Sequence, residues 1–199
     1  MVGVVLAGGR STRMGRDKAL IRLDGESLIR RQLRLLQETG VQRLSVAAGE
    51  RRVGSALHAE IPHGVDWLTD ARPDCGPLAG IAGALAGLNS GETHLLVLAV
   101  DLPRLEVGLL GQLIGAARRT PAAGIVPVVA GRWEPLAAVY PRAGLDSALA
   151  RLDRGALSVQ DWVREGVRHG WMRERVMSPD ESVGFLNWNR PEDLPGARL

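Results

Sequence analysis

The chain reads as an α/β protein: a single domain built on one doubly wound, mostly parallel sheet. Three observations predict this. Short unbroken runs of Val, Leu and Ile alternate with longer segments of helical periodicity, as in strands buried on both faces and joined by crossover helices. The length, 199 residues, suits one ordinary domain with a sizeable core, and no linker, repeat or low-complexity stretch divides it. Glycine is abundant at 25 residues, in keeping with the tight strand-to-helix turns of such a fold.

Met1 to Ala7 is nearly all Val and Leu, the pattern of a strand buried on both faces. A loop from Gly8 to Lys18 follows. Leu28, Ile29, Leu33 and Leu36 form the apolar stripe of a helix, with Arg30, Arg31, Arg34 and Glu38 on its solvated side and Gly40 as its stop. Leu44–Ala48 and Val65–Thr69 read as the second and third strands. Leu78–Leu88 reads as a helix of small residues, and Leu95–Val100 as an apolar strand ending at Asp101. A helix from Glu106 to Arg119 leads to a strand at Ile125–Val129. After Gly131 the rhythm changes: Pro135–Tyr140 reads as a strand, Leu145–Leu152 and Leu157–Val163 as short helices, and Val183–Trp188 as a final extended segment. Ligands of open α/β sheets sit beyond the carboxyl ends of the strands. Gly8, Asp70 and Asp101 mark those ends here.

Composition narrows the functional classes. Hydrophobic residues make up 45% and charged residues 24%, as in a soluble globular protein, and the net charge is only +3. No basic run is interleaved with aromatics, so an anionic small molecule is expected as partner rather than a nucleic acid. Cys75 is the single cysteine, which rules out an internal disulfide, and no Cys/His cluster suggests zinc. His58, His63, His94 and His169 share no metal-ligand spacing and read as surface or turn residues. The apolar start reaches glycine too soon for a secretory signal, and no run is long enough to cross a bilayer, so a cytoplasmic protein without membrane contact is expected.

Of the 25 basic residues only Lys18 is a lysine, and it directly follows the glycine-rich loop. Arginine presents a planar fork; lysine presents a compact point charge on a flexible stem. A compact cation beside consecutive backbone N–H groups is the chemistry of a polyphosphate site. A Walker A loop is excluded, because Gly15 is followed by Arg16-Asp17-Lys18 and no hydroxyl follows the lysine. The dinucleotide fingerprint is excluded too, since Gly8, Gly9 and Gly15 have the wrong spacing. What remains is a loop in which Gly8 and Gly9 allow close backbone approach while Arg13 and Lys18 neutralise a triphosphate. The bland alternative is a solvated basic turn.

Asp101 reads as a carboxylate for Mg²⁺, which prefers oxygen ligands shared with phosphates, or else as the cap of the next helix. Pro103 bears on that choice, since proline favours the first helical position and would make Leu102 the cap instead. Asp70 ends a strand, where a turn role competes with a ligand role. Gly76-Pro77-Leu78-Ala79-Gly80 opens a helix whose N-terminus can face an anion or simply pack tightly. Asn187 and Asn189, two apart on an extended segment, face one side as a polar pair, or serve with Pro191 as turn punctuation. Trp133 and Trp188 read as packing residues, Cys75 as an inert thiol, and no grouping suggests a covalent nucleophile.

These residues resemble a known family. Leu6-Ala7-Gly8-Gly9, Arg13-Met14-Gly15 and Asp17-Lys18-Ala19-Leu20 are similar to the opening motif of the molybdenum cofactor guanylyltransferases, which join GMP from GTP to molybdopterin. The similarity continues through Asp70, Gly76–Gly80, Asp101-Leu102-Pro103, Pro135–Tyr140 and Phe185–Asp193, in order along nearly the whole chain. It implies a nucleotide-diphospho-sugar transferase-like, Rossmann-like fold, with residues 1–130 as the nucleotide-binding half and 131–199 as the molybdopterin-side half of one nucleotidyltransferase domain. It implies that Leu6, Ala7, Gly8, Gly9, Lys18, Asp70 and Asp101 contact GTP, with Asp101 on Mg²⁺, Arg13 and Lys18 on the phosphates, and Asn187 and Asn189 on the molybdopterin side. Two positions depart from the family: Ala47 stands where relatives often place an asparagine, with Glu50 or backbone as substitute, and Ala156 follows Gly155 where a basic residue is usual, with Arg154 as its neighbour. The expected partners are GTP and molybdopterin, with transient contact to other cofactor-biosynthesis proteins, and the expected state is a monomer. The alternatives are a molybdopterin cytidylyltransferase or other small-molecule nucleotidyltransferase, and a non-catalytic nucleotide-binding regulatory module.

Overall fold

A computed structural model describes residues 1–8, 17–49 and 55–188. Its elements in chain order begin with β1 (Val2–Leu6), the two-residue strands β2 (Arg22–Leu23) and β3 (Glu26–Ser27), α1 (Leu28–Glu38), β4 (Arg43–Ala47), α2 (Ala56–Glu60) and β5 (Asp66–Leu68). They continue with α3 (Gly76–Ala86), β6 (His94–Ala99), α4 (Val107–Arg119), β7 (Gly124–Val129), β8 (Arg132–Trp133) and β9 (Ala137–Pro141). The chain then forms α5 (Leu145–Asp153), α6 (Val159–His169), β10 (Met172–Val176) and the single turn α7 (Pro179–Ser182).

The main sheet runs β10-β7-β9-β6-β1-β4-β5, with β8 paired to β7. β1 is parallel to both β4 and β6, β4 to β5 and β10 to β7; β9 is antiparallel between β6 and β7. The mostly parallel α/β sheet expected from the chain is thus present, with β9 and the short β8 reversed. β1 and β6 are buried along their whole length, so their unbroken apolar runs face helices on both sides. Val5, Leu96 and Leu98 pack against α1, α2 and α4, while Val4, Leu95 and Val97 pack against α3, α5 and α6. The order of connections reverses beside β1: the chain leaves it toward β4 and β5, then returns through α3 to β6 on its other side. That reversal makes the carboxyl ends of β1 and β6 the switch point of the sheet, where ligands bind in such folds.

Several elements differ from expectation. β2 and β3 form a hairpin closed by Asp24 and Gly25, both at positive φ (52° and 83°), a tight turn of the kind Asp-Gly favours. α6 is longer than the stretch anticipated, because Ser158 caps its start, Gly170 in the left-handed region ends it, and Val159, Trp162, Val163 and Gly166 carry one buried stripe between them. Residues 183–185 form a 3-10 turn rather than an extended segment, and the backbone becomes extended only at Leu186. His94 is buried at 6% exposure inside β6 rather than on the surface; its ring nitrogens lie 3.0 Å from Thr93 Oγ1 and 3.3 Å from the Ala123 carbonyl. Burial pushes its imidazole below the ordinary range.

The small residues of α3 let it lie directly on the end of β5. A Cβ at Gly83 would sit 2.4 Å from the Thr69 carbonyl oxygen and 3.4 Å from Asp70 Cα, and the Ala71 N–H donates to the Ala79 carbonyl at 3.0 Å. Gly83→Ala gains roughly 1 kcal/mol of helix propensity, but the collision is with backbone and must move it. The expected net result is a loss of about 2 kcal/mol, read as a lowered urea midpoint at unchanged m-value.

Candidate active site

The adjacent strands β6, β1, β4 and β5 end flush. Leu6 pairs with Ala47 on one side and Ala99 on the other, and Ala47 pairs with Leu68. Residues 7–8, 48–49, 69–70 and 100–101 therefore leave the sheet along one edge, which brings Gly8, Asp70 and Asp101 to the same face of the molecule.

Lys18 arrives there through a short 3-10 turn, Lys18–Leu20. Asp17 caps this turn by accepting the Ala19 N–H at 3.0 Å, and Ala19 is anchored in the core at 1% exposure. The turn aims the Lys18 ammonium at Asp101, with Nζ 3.2 Å from Oδ2. Both side chains are partly shielded, at 20% and 24% exposure. The lone lysine and the strand-end aspartate, 83 residues apart in sequence, are in contact.

Asp101 is not a helix cap, and neither is Leu102. α4 begins at Val107 with Glu106 as its N-cap, so Pro103 lies in the connection and not in the first helical turn. Leu102 and Pro103 are buried while Asp101 is half-buried, and the Asp101 carbonyl accepts the Trp188 N–H at 3.0 Å. Trp188 is buried at 5%, so it packs as expected, and Asn187 beside it is exposed. Asn187 is thereby held one residue from the backbone bonded to Asp101. Gly9, Arg13, Glu50 and Asn189 lie outside the described residues.

Asp70 sits in a frame made by two glycines. Ideal Cβ positions at Gly49 and Gly80 fall 3.7 Å and 3.5 Å from its two carboxylate oxygens, and the Gly80 position is also 3.2 Å from Leu6 Cδ2 and 3.4 Å from Ala47 Cβ. Burial lifts the Asp70 carboxyl above the ordinary aspartate range, and donation from the Gly49 N–H partly opposes this. The carboxylate therefore bonds across to the end of β4 rather than within its own turn. Ala7 and Ala47 are buried, with the Ala7 N–H bonded to the Ala47 carbonyl at 2.8 Å; Gly8 is exposed beside Gly49. At Ala47, then, a buried methyl group stands where an asparagine is usual, and the polar group offered nearby is the Gly49 backbone.

One residue that pattern reading passed over joins this edge. Glu134 precedes β9, whose first residue pairs with Leu98 at the end of β6, and it lies half-buried among these groups. Burial raises its carboxyl above the ordinary range, the Arg132 charge lowers it, and the negative charge of Asp101 raises it again. Its sequence neighbours, Trp133 and Pro135, gave no sign that an acid here would come within electrostatic reach of Asp101. A cavity of about 350 Å³ lies at the opposite, amino end of the sheet, lined by residues such as Met1, Thr39, His94 and Arg118. It is remote from Lys18, Asp70 and Asp101 and gathers the carbonyl-rich ends of α1 and α4.

A family model described as a MobA-like NTP transferase domain matches residues 3–170. The chain belongs to this family. A probable molybdenum cofactor guanylyltransferase of Opitutus terrae is 41% identical over 97% of the chain and 92% of its own length. A molybdenum cofactor guanylyltransferase of Xanthomonas euvesicatoria is 32% identical over 96% and 90%. Among solved structures, molybdopterin-guanine dinucleotide biosynthesis protein A of Archaeoglobus fulgidus superposes with a TM-score of 0.77, at 21% identity over 97% of this chain and 94% of that one. A 4-diphosphocytidyl-2C-methyl-D-erythritol synthase of Anaerococcus prevotii reaches 0.72 at 8% identity, covering 96% and 91%. The resemblance seen in the motifs thus extends to the whole chain, and this MobA-like domain has the nucleotide-diphospho-sugar transferase fold.

The frame around Asp70 has a stability consequence. A carboxyl whose folded pKa is raised destabilises the native state once pH climbs above the unfolded value, near 3.8. Asp70→Asn keeps an oxygen for the Gly49 N–H and removes the charge. It is expected to unfold at a higher temperature than wild type at pH 7, with the difference shrinking to nothing as pH falls toward 3.8.

Proposed function

We propose that this MobA-like protein transfers GMP from GTP to the terminal phosphate of molybdopterin and releases pyrophosphate. The observation that carries the reading is the Lys18 ammonium set 3.2 Å from Asp101 at the flush edge of the sheet, in a chain whose relatives are named for that reaction. Pure binding of a nucleotide has no need of a carboxylate directed at polyphosphate.

A divalent cation fits the donor set. Among the described residues no group of three or more His, Cys, Asp or Glu is arranged to hold a metal, so an ion here would take one carboxylate from the protein and its other oxygens from phosphates and water. That is the habit of Mg²⁺. The Lys18 ammonium already marks the position as one that accepts a cation. Asp101 would hold the ion, which when bound supplies charge neutralisation to the phosphates.

The remaining steps belong to the chain and its substrates. Backbone N–H groups of the loop that begins at Gly8 face phosphate oxygens, and Lys18, with Arg13 outside the described residues, neutralises the triphosphate. Asp70 accepts from the N1–H and amino group of guanine, two adjacent donors that match a carboxylate. Asn187, with Asn189 outside the described residues, serves molybdopterin. A terminal phosphate oxygen of molybdopterin attacks the α-phosphorus in line. The bond from that phosphorus to the bridging oxygen breaks, and pyrophosphate departs with the electron pair. Positioning and charge neutralisation suffice for such a transfer, so a protein nucleophile is not required.

Pyrophosphate release with Mg²⁺, molybdopterin and each nucleoside triphosphate tests the reading. Release with GTP, abolished by EDTA and restored by Mg²⁺, is expected; a preference for CTP or no release with any triphosphate refutes it. Lys18→Arg is expected to lower kcat about 100-fold, because a bulky fork replaces a point charge. Asp70→Ala is expected to cost about tenfold more with GTP than with CTP, and equal losses would remove Asp70 from base recognition.

A further inference from the structure

The connection from β6 to α4 belongs to neither element, yet Leu102, Pro103 and Leu105 in it are buried and Asp101 is half-buried. Carbonyls shielded in this way need donors inside the protein. Three in succession receive a donor from a distant segment: Asp101 from the Trp188 N–H at 3.0 Å, Leu102 from Gln32 Nε2 at 2.8 Å in addition to a longer local bond from the Leu105 N–H at 3.3 Å, and Pro103 from Arg31 Nε at 2.7 Å. Two of the three donors are neighbours on α1.

Gln32 is the more telling of the pair. It occupies the core row Leu28, Gln32, Leu36 at 0% exposure, where packing alone would favour a third leucine. Its amide oxygen is buried and has no hydrogen-bond partner among the described residues. Burying an amide that is only half satisfied costs free energy, so the retained half, donation to the Leu102 carbonyl, is what the position supplies. Arg31 is not simply part of the solvated face of α1, because its guanidinium reaches inward to the Pro103 carbonyl. The same helix also fixes the other member of the charged pair: the Leu28 N–H, at its first residue, donates to the Ile21 carbonyl at 2.8 Å, directly behind the turn that carries Lys18.

We propose that Gln32 and Arg31 are positioning residues for Asp101, and that α1 acts as a jig setting the Asp101 carboxylate against Lys18. The inference rests on the functional reading above, in which Asp101 serves a divalent cation. Neither residue touches substrate. Each acts through the backbone that follows Asp101, and partners of this kind govern how well a ligating side chain is aimed.

The test compares wild type with Gln32→Met and Arg31→Met, which keep side-chain volume and remove the donor, and with Arg34→Met as a control. Arg34 lies on the outer face of the same helix, bonded among the described residues to Glu26 and Glu38. Three quantities are measured: the affinity for Mn²⁺ in the presence of GTP by electron paramagnetic resonance, kcat and KM for GTP in pyrophosphate release, and thermal unfolding. The expected result for both inner variants is Mn²⁺ binding weakened about tenfold and kcat lowered about tenfold with KM nearly constant. Because the two donors hold adjacent carbonyls, the double variant should lose less than the product of the single losses. Arg34→Met should match wild type in all three. Unchanged Mn²⁺ affinity in folded Gln32→Met and Arg31→Met overturns the proposal, as does an activity loss that only follows the folded fraction. A wild type that binds no Mn²⁺ with GTP removes the functional reading itself, and the jig with it.

Discussion

The parallel register of β1 between β4 and β6 is the constraint on which the rest of this molecule depends. Because Leu6 stands opposite both Ala47 and Ala99, three neighbouring strands stop at one level and release their loops together. In a parallel sheet with both faces buried, a slip of one residue would turn every apolar side chain to the wrong layer. The hydrophobic alternation that sends Val4 to one helix layer and Val5 to the other thus also decides where the functional groups stand. Core packing and site geometry are the same fact seen from two ends of the strand.

At that edge the protein holds charges of both signs in contact. A partly exposed ion pair such as Lys18 with Asp101 contributes about 0–1 kcal/mol, so separating it costs little. A triphosphate with its cation offers each partner a replacement of the same sign: phosphate for the ammonium, metal for the carboxylate. On the function proposed above, the pair would keep both groups neutralised and close together before substrate arrives. Asp70 illustrates the opposite policy, since its burial raises the carboxyl and the Gly49 N–H opposes this in part. A carboxylate held in that condition is one that a pair of ring donors can stabilise, which is how a site trades stability for recognition.

Much of this was legible before any coordinates, and the reason is periodicity. β1, α1, β6 and α4 are long enough, and apolar in a regular enough way, to declare themselves, and Lys18 and Asp101 stand where those patterns break. β10 did not declare itself: in Met172-Arg173-Glu174-Arg175-Val176 only Met172 is buried, because the strand lies at the sheet edge. The β2–β3 hairpin is too short for any period to show. His94 was misjudged because residue type suggested surface, whereas Thr93 and Ala123 satisfy its ring inside β6. Glu134 and Gln32 were missed for a related reason: their roles come from neighbours brought in by topology. Gln32 did leave one trace, a polar residue midway between Leu28 and Leu36 in an otherwise apolar row.

The carbonyl of Asp101 ties these levels together. Its donor, Trp188, belongs to the segment that carries Asn187, and its side chain faces Lys18 from the nucleotide loop. One residue is thus bonded through its backbone to the C-terminal segment and through its carboxylate to the N-terminal loop, while α1 holds the two carbonyls that follow. On the function proposed above, a shift of the C-terminal segment would pull on the same peptide that aims the carboxylate, through a short connection gripped at three successive carbonyls. Backbone held at successive acceptors by two distant segments is stiff in this sense, since displacement must break bonds to both. That stiffness suits a reaction whose catalysis is mostly positioning.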